Sequence, residues 1–195
     1  MIPKTIILIG RSGSGKGTQA ELLNKHFEEI GKESIHLESG KIFRDFINKE
    51  KNYTSLLASR VNKEGGLQPQ FLSVWAWSEN LINNLKEDNS LIIDGTPRRL
   101  NEAVILEDAF KFYGRDKFHV IYLNVSHDES VGRLKSRGRE DDREMDNIEE
   151  RLAWFDEDVI PVIDYYRTAE NSEFHEISGE GNINNIHQDI LDILK

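Results

Sequence analysis

Residues 10–19 read GRSGSGKGTQ and follow directly on the apolar run Ile6-Ile7-Leu8-Ile9. A short, continuously apolar, β-branched run suits a strand buried on both faces of a parallel sheet. The glycines after it let the backbone curl so that the N–H groups of Gly13, Ser14 and Gly15 point inward at an anion. Lys16 then opens a helix whose positive dipole end adds to the same site. A plain glycine turn with a solvated lysine would leave the strand before it and the helix after it unexplained. Strand, phosphate loop and helix together make the first unit of an α/β chain.

The rest of the chain repeats that alternation. Apolar segments at Ser34–Leu37, Leu91–Ile93, His119–Asn124 and Glu173–Ile177 read as further strands after Thr5–Ile9. Helical patterns run over 16–30, 40–50, 69–86, 99–113, 127–137, 146–169 and 183–194. The expected fold is a doubly wound, five-stranded parallel sheet flanked by helices, with its ligand at the carboxyl ends of the strands. Residues 40–86 hold three helical pieces where one crossover would suffice, so a small helical insert is expected beside the sheet.

Composition narrows the class. The 195 residues are 37% hydrophobic and 31% charged, enough for one domain with a full core. Net charge is −10, which disfavours a nucleic-acid partner. No apolar run approaches the roughly 18 residues of a membrane span, and Met1-Ile2-Pro3-Lys4 leaves no room for a signal peptide before the first strand. Cysteine is absent, so disulfides and thiolate zinc sites are excluded and a cytoplasmic setting is expected. Against the acidic background, Arg133, Arg137, Arg139, Arg143 and Arg151 fall close together. A local arginine cluster in an acidic chain points to a small anionic ligand held in a cleft.

Two other segments carry matching chemistry. In Leu91-Ile92-Ile93-Asp94-Gly95-Thr96-Pro97-Arg98, the aspartate at a strand end can orient the water shell of Mg²⁺. Arg98 projects from the following turn, where a guanidinium can grip phosphate bidentately. In the cluster itself, the i, i+4 spacing puts Arg133 and Arg137 on one helix face. The alternative, that these arginines pair with Glu140, Asp141, Asp142 and Glu144 on a solvated surface, accounts for no particular spacing.

The usual phosphate loop has Ser or Thr right after its lysine, whereas here Gly17 intervenes before Thr18. This GKGTQ variant resembles the adenylate kinase family of nucleoside monophosphate kinases. The resemblance extends over nearly the whole chain: to DGTPR, to Glu38-Ser39-Gly40-Lys41-Ile42-Phe43-Arg44, to Gly66-Leu67-Gln68-Pro69, to the ordered arginines, and to the aromatic-rich stretch 154–166. It implies transfer of the ATP γ-phosphoryl group to a nucleoside monophosphate, with ATP + AMP = 2 ADP as the default and MgATP as donor. On that likeness Gly13, Ser14, Gly15, Lys16, Gly17, Thr18, Arg133 and Arg137 would bind ATP. Ser39, Gly40, Arg44, Leu67, Gln68, Gly95, Arg98, Glu102, Arg139 and Arg151 would bind the acceptor. Lys16, Arg98, Arg137, Arg139 and Arg151 would act on the transferred group, and Asp94 would reach Mg²⁺ through water. Such chemistry needs no general base, because an acceptor phosphate is already an ionised nucleophile.

The same likeness implies a core of residues 1–38, 87–137 and 151–195, an acceptor-binding subdomain of about 39–86, and a lid of about 137–150. The lid is short, has no cysteines, and so implies no structural zinc; a monomer is the family expectation. The Arg139-to-Arg151 gap is one residue longer than the family's, which leaves Arg143 as a substitute for Arg139. Three acceptor-side positions depart from the family: Lys41 for aspartate, Gln68 for an apolar residue, and Glu102 for the glutamine that reads adenine. An ionised carboxylate only accepts, which suits the adjacent donors of guanine better than the edge of adenine. UMP, CMP or GMP as acceptor, Glu102 turned to solvent, or a catalytically silent nucleotide sensor therefore stand as alternatives.

Overall fold

The computed structural model describes residues 3–138 and 145–195. Chain order is β1 (Thr5–Ile9), α1 (Lys16–Glu29), β2 (Ser34–Glu38), α2 (Ser39–Lys49), α3 (Tyr53–Lys63), α4 (Gln70–Asn84) and β3 (Ser90–Asp94). Then come α5 (Leu100–Phe112), β4 (Phe118–Asn124), α6 (His127–Arg137) and α7 (Met145–Trp154). A π turn (Phe155–Val159), α8 (Ile160–Thr168), β5 (Ser172–Ser178) and α9 (Ile183–Ile193) close the chain. The five strands are all parallel, in the order β2-β3-β1-β4-β5.

β1 lies at the centre, and every residue of β1 and β3 is buried. Their side chains alternate between two cores, as the period of a strand requires. Ile7 and Ile9 face Trp77 and Leu81 of α4, Leu106 and Phe110 of α5, and Val162 and Tyr166 of α8. Ile6 and Leu8 face Ala20, Leu23 and Phe27 of α1 and Ile186 and Ile190 of α9. The strand order reverses beside β1, between its neighbours β3 and β4. A doubly wound sheet opens its ligand crevice at such a point, past the strand ends.

The expected insert is present as α2, α3 and α4. Its own small apolar cluster of Phe43, Ala58, Leu72 and Ala76 holds it together. Asn52 caps α3 in a reciprocal box with Ser55.

One element departs from the sequence reading. The helix expected over 146–169 is divided by the π turn. Pro161, in the first turn of α8, has no N–H for the carbonyl four residues back, and its ring crowds that carbonyl. The wider π turn accommodates this, and bulges of this kind recur at functional sites.

Candidate active site

The phosphate loop is set by its backbone. Ser14 N–H donates to Arg11 O at 3.0 Å. Gly13 adopts φ +85°, and a Cβ there would sit 2.9 Å from Ser130 O. Gly15 caps α1 in the left-handed region, φ 92° and ψ 6°. Only glycine takes these two positions without strain.

Lys16 curls back over the loop, donating from Nζ to Gly10 O and Arg11 O, both at 2.8 Å. Burial lowers its pKa to about 8; Asp94 opposes that shift, while Arg98, Arg137 and Arg151 reinforce it. Asp94, 7% exposed at the end of β3, is the facing carboxylate. Burial pushes its carboxyl up and the Lys16 ammonium pulls it back. Gly17 leaves space at this carboxylate, since a Cβ at 17 would come 3.5 Å from Asp94 Oδ2. Thr18, one residue on, is exposed to the cleft.

Arg133 closes the phosphate-loop side of the cleft. Its Nε donates to Glu129 Oε1 at 2.8 Å, and its Nη1 reaches Gly179 O at 2.9 Å and Gly13 O at 3.5 Å. The guanidinium thus bridges the phosphate loop and the turn after β5, beside Ile183 and Ile186 on the cleft wall. Gly179 permits that proximity, because a Cβ there would meet Val125 Cγ2 at 2.5 Å and Ser14 O at 3.1 Å.

Across the cleft, Ser39 Oγ and Arg98 Nε both donate to Gly95 O, at 2.6 and 2.7 Å. The Thr96–Pro97 peptide bond in this turn is cis. Arg98 lies over the Trp154 ring, 5.1 Å from its centroid. Arg44 Nη2 donates to Glu38 Oε1 at 2.6 Å, and Gly40 lets that guanidinium pass, a Cβ there lying 3.0 Å from Nη1. Gly13 to Thr18, Gly40, Arg44, Asp94, Gly95, Arg98, Arg133, Arg137 and Arg151 line one cleft of about 620 Å³. Arg139 and Arg143 lie outside the described residues, as does the middle of the expected lid.

Ser39, Leu67, Gln68 and Glu102 line a smaller hollow behind the Gly95–Arg98 turn instead. Glu102 is not turned to solvent; it is 2% exposed. Its Oε2 accepts from Arg98 N–H at 3.0 Å and Thr96 Oγ1 at 3.3 Å, so it holds the turn that aims Arg98. Burial raises its carboxyl above the usual range, against the pull of the Arg98 N–H and charge. Gln68 donates through Nε2 to Ala58 O and Asn62 Oδ1, both at 2.8 Å, while its buried Oε1 has no hydrogen-bond partner. Lys41 lies apart from both spaces, exposed and paired with Asp45 at 2.7 Å.

Five residues were given no role by the sequence motifs. Arg11 reaches Asp156 Oδ1 at 2.6 Å and lies 4.6 Å over the Phe155 ring. Arg99 reaches Asp158 Oδ1 at 3.1 Å and Gln68 O at 3.0 Å. The π turn, through Asp156 and Asp158, thereby fastens the phosphate loop on one side and the turn after β3 on the other. Trp154 also joins these parts, through Arg98 and through its Nε1–H to Gly65 O at 3.1 Å. The acidic run Asp156-Glu157-Asp158 just before a proline was the available signal.

Comparison with known proteins agrees with this geometry. The profile described as adenylate kinase matches residues 8–171. An adenylate kinase of Flavobacterium psychrophilum is 29% identical over 193 residues, 97% of each chain. Adenylate kinase 1 of a Nostoc species is 34% identical over 161 residues, 83% of each chain. A uridylate kinase of Saccharomyces cerevisiae is 27% identical over 194 residues, 97% of this chain and 90% of the yeast protein.

Proposed function

The chain belongs to the adenylate kinase family, and from that premise we propose that it transfers the γ-phosphoryl group of MgATP to AMP, giving two ADP. The observation that carries this reading is the gathering of Lys16, Asp94, Arg44, Arg98, Arg137 and Arg151 around one cleft. The donor phosphates lie over the phosphate loop, and the acceptor phosphate lies against Arg44 and Arg98. An acceptor phosphate oxygen attacks the γ-phosphorus. A new O–P bond forms, the β,γ-bridging bond breaks, and ADP leaves with its electron pair. Charge spreads over the equatorial oxygens in the transition state, and fixed guanidinium groups with the Lys16 ammonium stabilise it.

Mg²⁺ fits the residues present. Asp94 is a buried carboxylate at a strand end that lines the cleft beside Gly17 and Lys16, a setting for a hydrated ion held through water. Bound with ATP, the ion would neutralise charge on the β- and γ-phosphates.

Residues 39–86 form the acceptor-binding unit in this reading, and 137–150 the lid, whose closure excludes water as a competing acceptor. In this reading the protein is a cytoplasmic monomer, as its likeness to the family implies. Among the described residues no helix is long and apolar enough to cross a membrane.

A second reading rests on the hollow behind the acceptor turn. Gln68 Oε1 and the Glu102 carboxylate both offer acceptors there. Two acceptors suit the adjacent N–H donors of guanine, as they suit the N6 amino group of adenine. Turnover of MgATP with AMP, GMP, UMP, CMP and dTMP separately, with diphosphates followed by chromatography, decides between them. ADP formation fastest with AMP is the expected outcome. Faster GDP formation would make guanine the acceptor base, and no transfer to any of the five would overturn the kinase reading.

A further inference from the structure

A second group of chemically potent side chains lies on the sheet away from the cleft. His119 is near the start of β4, and Glu173 and His175 are on the edge strand β5. In the parallel register Glu173 is directly beside His119, and His175 stands opposite Ile121, one same-face step further. All three side chains therefore share one face, the one carrying Ile121 and Leu123 against α1 and α9.

Their donor atoms converge. One ligand atom from each residue lies within 4.8 Å of the other two. His119 Nδ1 and Glu173 Oε2 are 3.2 Å apart, close to the roughly 3.3 Å that separates two donors sharing an ion at about 2.0–2.1 Å. Yet they make no hydrogen bond: His119 Nδ1 is buried without a partner, and so is His175 Nε2. His119 is 7% exposed, and an orphaned imidazole nitrogen at that depth is costly.

We propose that His119, Glu173 and His175 form a site for a divalent transition metal ion, zinc by preference, that clips the edge strand β5 to β4. Two imidazoles and one carboxylate are a borderline donor set, suited to Zn²⁺ and poorly suited to the all-oxygen preference of Mg²⁺. The strand supplies the geometry, because residues two apart on β5 and a neighbour on β4 present ligands from one surface. The absence of cysteine bears on thiolate sites and leaves this one open.

The test uses the full chain, stripped with chelator and free of nucleotide, titrated with Zn²⁺ alone by calorimetry. Wild type should bind one ion, and Zn²⁺ should raise its Tm. His175→Gln and His119→Gln should weaken binding by ~100-fold or more and abolish the Tm rise. His175→Gln should retain wild-type phosphoryl transfer, which certifies its fold should His119→Gln fail to fold. Wild type that binds no zinc overturns the proposal. So does binding that survives unchanged in His175→Gln, which would put the ion elsewhere, as at His127 with Glu149.

Discussion

Lys16 is the residue at which charge and burial conflict most directly. Its folded pKa of about 8 lies below the ordinary value of 10.5, because the cleft disfavours the ammonium. The charged form is present below about pH 8 and is lost as pH rises through it. The rate constant kcat/KM for ATP reports the free enzyme, so it should fall with a limb near pH 8. Bound phosphates favour the ammonium, so kcat should hold its value to higher pH. Profiles of both constants check this, and a kcat/KM flat to pH 10 would contradict it. The linkage to stability has the same origin. The unfolded lysine keeps its proton up to about 10.5, so the cost of burying the charge is fully present below about 8 and is relieved between the two values. Arg98 supplies a different prediction. It lies in the turn after β3, held by Gly95 O and Trp154, and lines the cleft with the phosphate loop. Arg98→Ala should lower kcat by ~100-fold or more while ATP affinity, measured by titration, stays within a few-fold. Unchanged turnover would remove Arg98 from the reaction.

At the scale of elements, the π turn is where sequence and structure part. Strand runs, the phosphate loop and DGTPR were legible because each is local: a period, a glycine pattern, a carboxylate before a turn. The i, i+4 spacing of Arg133 and Arg137 is equally local, and both line the cleft. The ion pairs Arg11–Asp156 and Arg99–Asp158 were not, since each joins segments far apart in the chain and no short pattern records a tertiary pair. Glu102 shows the same limit. Its position relative to Arg98 suggested base recognition, and no local pattern showed that its Oε2 also accepts from the backbone of that arginine's own turn. These pairs yield a test with two separate readouts. Asp158→Asn releases Arg99, which also holds Gln68 O, and should raise the KM for the acceptor about 3–10-fold with little change for ATP. Asp156→Asn, on the phosphate-loop side, should raise the KM for ATP instead. Steady-state kinetics on both variants separates the effects. A fall in Tm with both KM values unchanged would reduce the π turn to packing alone.

For the whole molecule, the question is which parts can move without unfolding the rest. The sheet is packed on both faces, with β1 and β3 wholly buried between two cores. In the α2–α4 insert, Trp77 and Leu81 tie α4 to the main core, whereas α3 packs on the small cluster of Phe43, Ala58, Leu72 and Ala76 and exposes Tyr53, Leu56 and Leu57. The insert also touches α7, through Trp154 Nε1–H to Gly65 O and the close approach of Gly65 to Asn147, where a Cβ would lie 2.9 Å from Asn147 O. Small buried area implies a low free energy of local opening. Amide hydrogen exchange should therefore run faster in α3 than in β1 by several orders of magnitude. Acceptor should slow exchange in α2 and α3, because Arg44 and Ser39 lie on the insert and the groups they face, Gly95 and Arg98, lie on the core. ATP alone should act first on the phosphate loop and α1, leaving α3 nearly as fast as before. If α3 were as protected as β1 in the free protein, the insert would be a fixed wall of the cleft. Closure would then have to come from the 137–150 segment alone, and water would be excluded only on the donor side.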